Sequence, residues 1–435
     1  MFKTIANAFK IKEIRNKILL TLLLLLIYRI GCFLPVAGLN IHEFSAAIQG
    51  QEFLSLLSSI SGGALSQGAI LALGISPYIS ASIIIQLLTI AIPALERLSK
   101  QGEEGKKRIG LYTKICALVL AISQSIAIVV AFSKQGILNT TMFGFESPAW
   151  IVGTIVVLTL VAGSMFTYFL GDKITEIGVG NGQSLLIFVG LLSTAGTTIF
   201  NNLKLIFTGD TSGILPMVLF LVALVVIFAF IVFIDLSERK VPVQYAKQVK
   251  GRKMFGGQST HIPIRVNATG VMPIIFAMSI LSFPQLLISI FDADTSSGFS
   301  KWYTEWLGTG SWIYIVVMCL LILFFSYFWT TIQFNTEDIS KNIQQNGGFI
   351  PGIRPGRPTA DYLKKISNRI TLFGATFLAF IALVPSVIFG IIGGEGLTSA
   401  FSATGLLIVV SVAIEFDKQL EALMLMRNYK GFLNK

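Results

Sequence analysis

Residues 61–88 read SGGALSQGAILALGISPYISASIIIQLL, a stretch that is apolar enough for a membrane but too interrupted for an ordinary span. Small or helix-breaking residues occupy its first half and its middle: Ser61, Gly62, Gly63, Ser66, Gln67, Gly68, Gly74 and Pro77. Within lipid, backbone groups freed by such residues must be satisfied by protein or water. The stretch therefore predicts a broken segment that a membrane protein packs inside itself.

The composition supports a membrane environment. Hydrophobic residues make up 54% of the 435 residues, and charged residues make up only 13%. A soluble protein of this size would carry charges at about a quarter of its positions. We therefore predict an integral membrane protein.

Ten apolar runs are long enough to cross about 30 Å of hydrocarbon. They are centred on residues 18–36, 74–94, 114–133, 149–170, 183–200, 213–234, 270–291, 311–332, 370–392 and 397–415. The first run resembles a signal peptide, but Arg29 and Pro35 stand where a small-residue cleavage site would be expected. We interpret it as a retained span, so the sequence predicts an all-α fold with ten transmembrane helices.

The Lys and Arg residues orient these spans, because short basic loops resist translocation. Only Lys134, Lys204 and Lys301 of the 33 basic residues fall in loops on the outer side, and only Arg29 falls within a span. Both termini are therefore predicted to be cytoplasmic. The net charge of +11 then reflects topology rather than nucleic-acid binding.

Several functional classes are disfavoured. Spans two to ten carry no ionisable residue in their interiors, which argues against ion-coupled transport. We interpret Arg29 as close enough to the outer end of its span to snorkel to the interface, with a mechanistic role as the alternative. The stretches QGEEGKKR (101–108) and GVGNGQS (178–184) lack phosphate-loop spacing. The separated residues Cys32, Cys116, Cys319, His42 and His261 suggest neither a disulfide nor a metal site.

The ten spans divide into two sets of five, and an odd number per half predicts inverted repeats. The amino-terminal half would be 1–205 and the carboxyl-terminal half 206–435. The second span of each half opens with the same G-x-x-P pattern, at Gly74–Pro77 and Gly270–Pro273. Interruptions at matching places point to a pathway between the halves, although Gly and Pro are also commoner in all membrane helices.

The cytoplasmic loops 236–269 and 333–369 are longer than connectors need to be, and they carry basic residues on Gly- and Pro-rich turns. Their charge could serve topology alone. Their length favours a cytosolic partner with an acidic surface, such as ribosomal RNA. The tail 416–435 is predicted to be cytoplasmic as well.

Six motifs in order along the chain resemble the SecY family, the central subunits of bacterial protein-conducting channels. They are YRIGCFLPVAG (28–38), GISPYISASIIIQLL (74–88), EIGVGNGQS (176–184), QSTHIPIRVN (258–267), FIPGIRPGRPT (349–359) and LLIVVSVAIEF (406–416). The resemblance implies a clamshell of two inverted five-helix halves. It also implies the bacterial cytoplasmic (inner) membrane as the location.

The resemblance implies a plug and a pore ring. Residues 58–73 would form a half-helical plug with Gly74 as its hinge, and we expect Gly62, Gly63 and Gly68 to loosen its packing. An apolar ring would seal the empty pore by dewetting and fit around an extended chain. Its members would be Ile75, Ile79, Ile187, Ile275 and Ile408, with Gln183 at a sixth, usually apolar, position. Gln183 would either point away from the ring or leave a polar notch.

The resemblance also implies a lateral gate between spans two and seven, through which apolar segments reach the lipid. Uncharged polar residues on these spans would hold the closed gate weakly, or serve ordinary helix packing: Gln86, Ser279, Ser282 and Gln285. The tips of the two long loops, with Arg252, Lys253 and Arg354, match positions that dock ribosomes and the SecA motor. Small subunits of the SecE and SecG type are further implied partners.

The sequence thus predicts a passive channel for unfolded secretory and membrane-protein precursors. It contains no predicted catalytic residue and no predicted cofactor, so translation or a motor ATPase would supply the work. Composition and span number alone would equally permit an inverted-repeat transporter of small solutes.

Overall fold

The computed structural model describes residues 2–40, 44, 58, 61–133, 141–142, 145–146, 148–207, 214–245, 248–250, 253–255, 259–267, 270–291, 298–307, 311–392 and 403–433. Its helices are α1 (Phe2–Lys10), α2 (Lys12–Gly31), α3 (Ser76–Ala91), α4 (Pro93–Ser99), α5 (Glu103–Ser133), α6 (Ala149–Ile177), α7 (Gly182–Phe207), α8 (Ile214–Asp235), α9 (Met272–Phe291), α10 (Gly298–Leu307), α11 (Trp312–Gln333), α12 (Thr336–Gln345), α13 (Arg357–Ile392) and α14 (Ala403–Leu433). Its strands are β1 (Thr141–Met142), β2 (Phe145–Glu146), β3 (Glu238–Tyr245), β4 (Gln248–Lys250), β5 (Lys253–Phe255), β6 (Ser259–Arg265) and β7 (Gly348–Phe349).

A helix overlaps each of the ten predicted spans, namely α2, α3, α5, α6, α7, α8, α9, α11, α13 and α14. Among the described residues, four helical segments are long and apolar enough to cross a membrane by themselves. A fifth candidate is the pair α3 and α4, which bends by 106° at Pro93, where the ring interrupts helical hydrogen bonding. The chain is therefore a largely helical protein with several membrane-length helices, and the number ten stays a prediction.

The chain divides into two compact units. The first contains Met1–Met217, Ser279–Thr309 and Gly393–Lys435, and the second contains Val218–Met278 and Gly310–Ile392. Each unit combines segments that are distant in sequence. The proposed inverted halves 1–205 and 206–435 stay a prediction about repeat symmetry.

In the first unit, the two ends of the chain pack together. A cluster of buried residues joins α1 and the start of α2 to the α6–α7 turn and α14, through Ala8, Ile14, Ile18, Val179 and Leu420. Helix α14 continues without interruption to Leu433. The predicted tail 416–435 is therefore mostly a continuation of α14, the helix of the tenth predicted span.

The two long loops predicted to be cytoplasmic correct the all-α prediction. Strand β3 pairs antiparallel with β6 from Glu238↔Arg265 to Gln244↔Ser259. Strand β7, which belongs to the second long loop, pairs with β3 at Gln244↔Phe349 and Tyr245↔Gly348. Both loops thus contribute to one three-stranded sheet in the second unit. The described parts of both loops are therefore folded.

A small apolar core holds this sheet against α12 and α13. Its buried members are Val241, Val243, Ile264, Ile343, Ile350 and Leu363. Along β3, buried Val241 and Val243 alternate with exposed Pro242 and Gln244, as expected for a strand with one face on a core. We call this cluster with its sheet the loop core.

We expect Val243→Asp to unfold the loop core. Val243 is fully buried, and an unpaired charge in such a place costs about 3–5 kcal/mol. Limited proteolysis of the purified chain should then cleave within 236–269 at far lower protease concentration. Gln244→Asp, on the exposed face of the same strand, is the matched control and should leave the cleavage rate unchanged.

Candidate functional site

The predicted plug is described from residue 61 onward, together with Ser58. Residues 61–75 form a succession of turns rather than the expected half-helix, and α3 begins at Ser76. An isolated bridge pairs Pro35 with Ala69, through hydrogen bonds from Val36 N to Gly68 O and from Ile70 N to Leu34 O, each 2.8 Å long. We call residues 61–75 the plug segment. Many of its backbone N–H groups donate to protein acceptors, among them those of Gly63, Ala69 and Gly74, as a break within lipid requires.

The plug segment is packed more tightly than predicted. Leu71 lies over Gly31 of α2, where an added Cβ would be 2.5 Å from Leu71 Cδ1. The Ile70 carbonyl contacts Gly163 of α6 so closely that an added Cβ would clash with it. Ser61, Ala64, Leu65 and Ala69 are each at most 3% exposed. The expected loose packing is therefore not observed, and how readily the segment leaves its place stays a prediction.

The glycines of the plug segment have a conformational role in place of the loosening role predicted for them. Gly62, Gly63, Gly68 and Gly74 all have positive φ angles, between 53° and 82°. Only glycine adopts such angles without strain, so these residues produce the successive turns. At Gly62 there is a second reason, because an added Cβ would lie 2.8 Å from Gly190 Cα of α7.

Helix α2 holds the start of the plug segment by side-chain contacts. Arg29 donates from Nη1 to the Gly62 carbonyl at 3.2 Å and from Nη2 to Ser193 Oγ on α7 at 2.5 Å. Its guanidinium also lies 5.2 Å from the centroid of the Phe33 ring. Arg29 therefore points into the protein, and the prediction that it snorkels to the interface is wrong.

Two neighbours of Arg29 reach the same part of the plug segment. Tyr28 Oη donates to the Ser61 carbonyl at 3.4 Å, and Cys32 Sγ lies 3.9 Å from that oxygen. From the sequence, snorkelling was the preferred interpretation of Arg29 and a mechanistic role the alternative, and contact with the plug segment was not foreseen. The signal was present, because a lone charge in an otherwise uncharged set of spans is expensive and indicates a function.

The proposed ring residues lie on five different parts of the fold. Ile75 precedes α3 and Ile79 lies one turn into it, while Ile187 and Ile408 lie on α7 and α14 of the same unit. Ile75, Ile187 and Ile408 are less than 10% exposed, and Ile79 is half-buried. Ile275, also half-buried, lies on the part of α9 that belongs to the second unit. The ring itself stays a prediction.

Gln183 lies in the first turn of α7, where its side chain packs on α6. Its Cγ would be 3.1 Å from a Cβ added to Gly171. Of the two alternatives left open by the sequence, this position favours a side chain that faces the neighbouring helix. A polar notch in a ring is not needed to explain it.

The GVGNGQS stretch forms the tight turn between α6 and α7. Asn181 Oδ1 accepts hydrogen bonds from the backbone N–H groups of Gln183 and Ser184, and thereby caps α7. Gly182 abuts Gly171 of α6 with no space for a Cβ. Thr21 of α2 accepts from Val179 N at 3.1 Å. The glycines at alternate positions thus serve close packing, in agreement with the absence of phosphate-loop spacing.

The proposed gate helices are α3 and α9. Gln86 is half-buried on α3, where its Nε2 donates to Ser82 one turn earlier at 3.4 Å. Its Oε1 is buried and has no hydrogen-bond partner among the described residues. Ser279, Ser282 and Gln285 lie on helix α9, but their side chains lie outside the described part of the structure. The gate between these helices stays a prediction.

The short helix α10 packs against the middle of α9. Tyr303 of α10 is buried and donates to the Leu281 carbonyl, next to the turn interrupted by Pro284. Burial also raises the pKa of the Tyr303 phenol above its ordinary value. Trp302 and Trp306 lie one turn apart on α10 and are each half exposed, as is typical of residues at a membrane interface.

The predicted docking residues differ in how far they are described. Arg354 is exposed on a turn between Gly352 and Gly356, which have φ angles of 83° and 97°. Thr359 donates to the Arg354 carbonyl at 2.8 Å and so fixes this turn. Lys253 opens strand β5 opposite Lys250, and Arg252 lies outside the described residues. The turn that carries Arg354 is joined to the loop core by Ile350 and Ile353, which pack in it.

Metal chemistry has no visible support in the described residues. No three His, Cys, Asp or Glu side chains are grouped there as a metal ion would require. His261 is exposed on β6, and His42 falls outside the described part of the chain. The described cysteines are all reduced and separate.

Comparisons with known proteins decide the family. The family model for SecY matches residues 69–416. The protein translocase subunit SecY of Thermus thermophilus is 40% identical over 443 residues, which cover 100% of this chain and 98% of that protein. The chain belongs to the SecY family. The SecY subunit of Corynebacterium glutamicum is 38% identical over 442 residues, with 99% of each chain covered.

Solved structures share the fold of this SecY-family chain. A protein-conducting channel matches with a TM-score of 0.65 and 19% identity, covering 93% of this chain and 91% of that one. Sec61 in a canine ribosome–channel complex from the endoplasmic reticulum matches with a TM-score of 0.60 and 18% identity over the same shares. At these identities the likeness concerns the fold alone.

Proposed function

We propose that the chain forms a channel that conducts unfolded polypeptide across a membrane and releases apolar segments sideways into lipid. The full-length similarity to SecY subunits at about 40% identity carries this proposal. The plug segment supports it, because a broken, self-packed segment between two membrane helices has no use in a simple lipid-facing bundle. The alternative of a small-solute transporter has no support in any comparison.

We assign the pore constriction to Ile75, Ile79, Ile187, Ile275 and Ile408. Branched aliphatic side chains can exclude water from an empty pore and still yield around an extended polypeptide. Ile75 is continuous with the plug segment, which would occupy the outer side of this constriction in the resting channel. Displacement of that segment would open the aqueous path.

Lateral release would take place between α3 and α9. Gln86, Ser279, Ser282 and Gln285 would contribute hydrogen bonds worth about 0.6 kcal/mol each. Bonds of that size let a sufficiently apolar segment part the helices. No catalytic residue or cofactor takes part in this proposal, and the work comes from translation or from an ATPase.

The proposed partners follow from the family and from the exposed cations. Arg252, Lys253 and Arg354 would dock a ribosome or the SecA motor on the cytoplasmic side, where acidic surfaces attract clustered cations. Small subunits of the SecE and SecG type would complete the complex in a bacterial cytoplasmic membrane, with both chain termini in the cytoplasm.

Reconstitution tests the function directly. Vesicles that contain the chain with its small subunits should protect a secretory precursor from external protease when SecA and ATP are added. Vesicles without the chain are the control. Uptake of a small solute without any motor, and no protection of the precursor, would instead support the transporter alternative.

A further inference from the structure

We propose that Arg29 is a positioning residue that holds the plug segment in its resting place and sets how readily the channel opens. This inference rests on the proposed function. We call the Arg29 guanidinium with its three partners, the Gly62 carbonyl, Ser193 Oγ and the Phe33 ring, the Arg29 clasp.

The first step is electrostatic. Arg29 lies near the end of α2, in a membrane protein whose other predicted spans have uncharged interiors. A guanidinium that is half-buried there needs partners to replace water. The clasp supplies a backbone carbonyl at 3.2 Å, a hydroxyl at 2.5 Å and an aromatic face. Hydrogen bonds from a charged donor are the stronger kind.

The second step concerns which partners can move. Phe33 follows α2 and Ser193 lies on α7, so both belong to the walls that surround the plug segment. Gly62 alone among the three belongs to the segment itself. If the segment leaves, Arg29 loses the Gly62 carbonyl but keeps Ser193 and Phe33. The Arg29 charge therefore keeps two partners throughout. On opening, its hydrogen bond to the Gly62 carbonyl is replaced by one to incoming water.

The third step explains why residue 62 is a glycine. Its backbone approaches both Arg29 and Gly190, so an added Cβ would lie 2.6 Å from Arg29 Nη1 and 2.8 Å from Gly190 Cα. Gly63 has a similar positive φ, 82° against 72°, but a Cβ added there would meet nothing closer than Ser66 Oγ at 3.8 Å. Gly62 and Gly63 thus share the turn conformation, but only Gly62 lies too close to its neighbours to accept a Cβ.

The clasp predicts a more open resting channel when it is broken. We expect Arg29→Ala and Gly62→Ala to raise the resting ion conductance of the purified complex in planar bilayers by at least about tenfold, the factor that corresponds to about 1.4 kcal/mol. Arg29→Lys keeps the charge and one donor nitrogen, so its resting conductance should stay within about threefold of the unaltered channel's. Gly63→Ala is the matched control for strain and should also remain near the unaltered value.

A second readout separates the clasp from a general structural role. Export of a precursor whose apolar signal has been shortened should rise in Arg29→Ala and Gly62→Ala, because the channel then needs less help to open. A merely misfolded channel would export less. Unchanged conductance and unchanged export in both variants, at normal membrane levels, would overturn the clasp. Failure of the unaltered complex to export any precursor would instead count against the proposed function.

Discussion

Replacing Arg354 by Glu should reduce motor-driven translocation at least about tenfold, since reversing a charge at an electrostatically complementary interface costs several kcal/mol. Arg354 is exposed, and its turn is fixed by Gly352, Gly356 and the Thr359 hydrogen bond. The substitution should therefore change the proposed docking surface without unfolding it. Precursor protection in vesicles, with the SecA motor and ATP, measures the effect.

The control for this prediction makes the same charge reversal at a different exposed residue. Lys364 is exposed on α13, two turns beyond Arg357 where that helix begins, so Lys364→Glu should retain most of the activity. Equal losses in both variants would mean that overall charge matters and the turn does not. Full activity of Arg354→Glu would exclude this residue from docking.

Tethering the proposed gate should abolish membrane insertion. Cysteines placed at Gln86 and Ser282, in a chain whose native cysteines are replaced by alanine, would join α3 to α9 by a disulfide if the two helices meet at the gate. Because the helices could then not part, apolar segments should fail to enter the lipid. Alkaline extraction of a newly made membrane protein measures insertion.

Reversal and single variants complete this experiment. A reducing agent should restore insertion, and chains with either cysteine alone should insert normally. A tethered chain that still inserts would place the exit elsewhere. A pair that cannot be crosslinked in the resting channel would contradict the assignment of these two helices as the gate.

The helices were readable from the sequence because each predicted span is a long apolar run. A helix overlaps every one of those runs, since hydrophobic length is a local property that folding preserves. The bend between α3 and α4 at Pro93 was not predicted, because the apolar run 74–94 continues through it. Proline there removes a backbone donor, which was the available signal.

The sheet in the cytoplasmic loops was missed for two reasons. Pro242 and Pro263 argue against strands, and their positions become acceptable only through long-range pairing. Strand β7 pairs with β3 at Gln244 and Tyr245, so Pro242 does not need to donate toward β7. The available signal was Val241 and Val243 at alternate positions, which the structure shows to be buried. The pairing of β3 with β7, about a hundred residues away in sequence, gives no local signal.

The contacts that hold the plug segment in place could not be predicted from the local sequence pattern either. Glycine-rich composition suggested flexibility, whereas Gly62 is glycine because Arg29 and Gly190 approach its backbone. Such approaches join residues that are far apart in sequence, and they depend on side-chain direction. Arg29 itself was visible as an exception, but its orientation toward the plug segment followed only from the packing of α2 beside α7.

Site-specific crosslinking of a translocating chain tests the central claim most directly. A photoreactive residue is placed at Ile79 or Ile275, and a secretory precursor is stalled halfway across the membrane. We predict that both positions crosslink to the precursor, and that the lipid-exposed Leu158 of α6, which is 64% exposed, does not. Crosslinks from Leu158 with none from Ile79 and Ile275 would contradict a polypeptide path through the proposed ring.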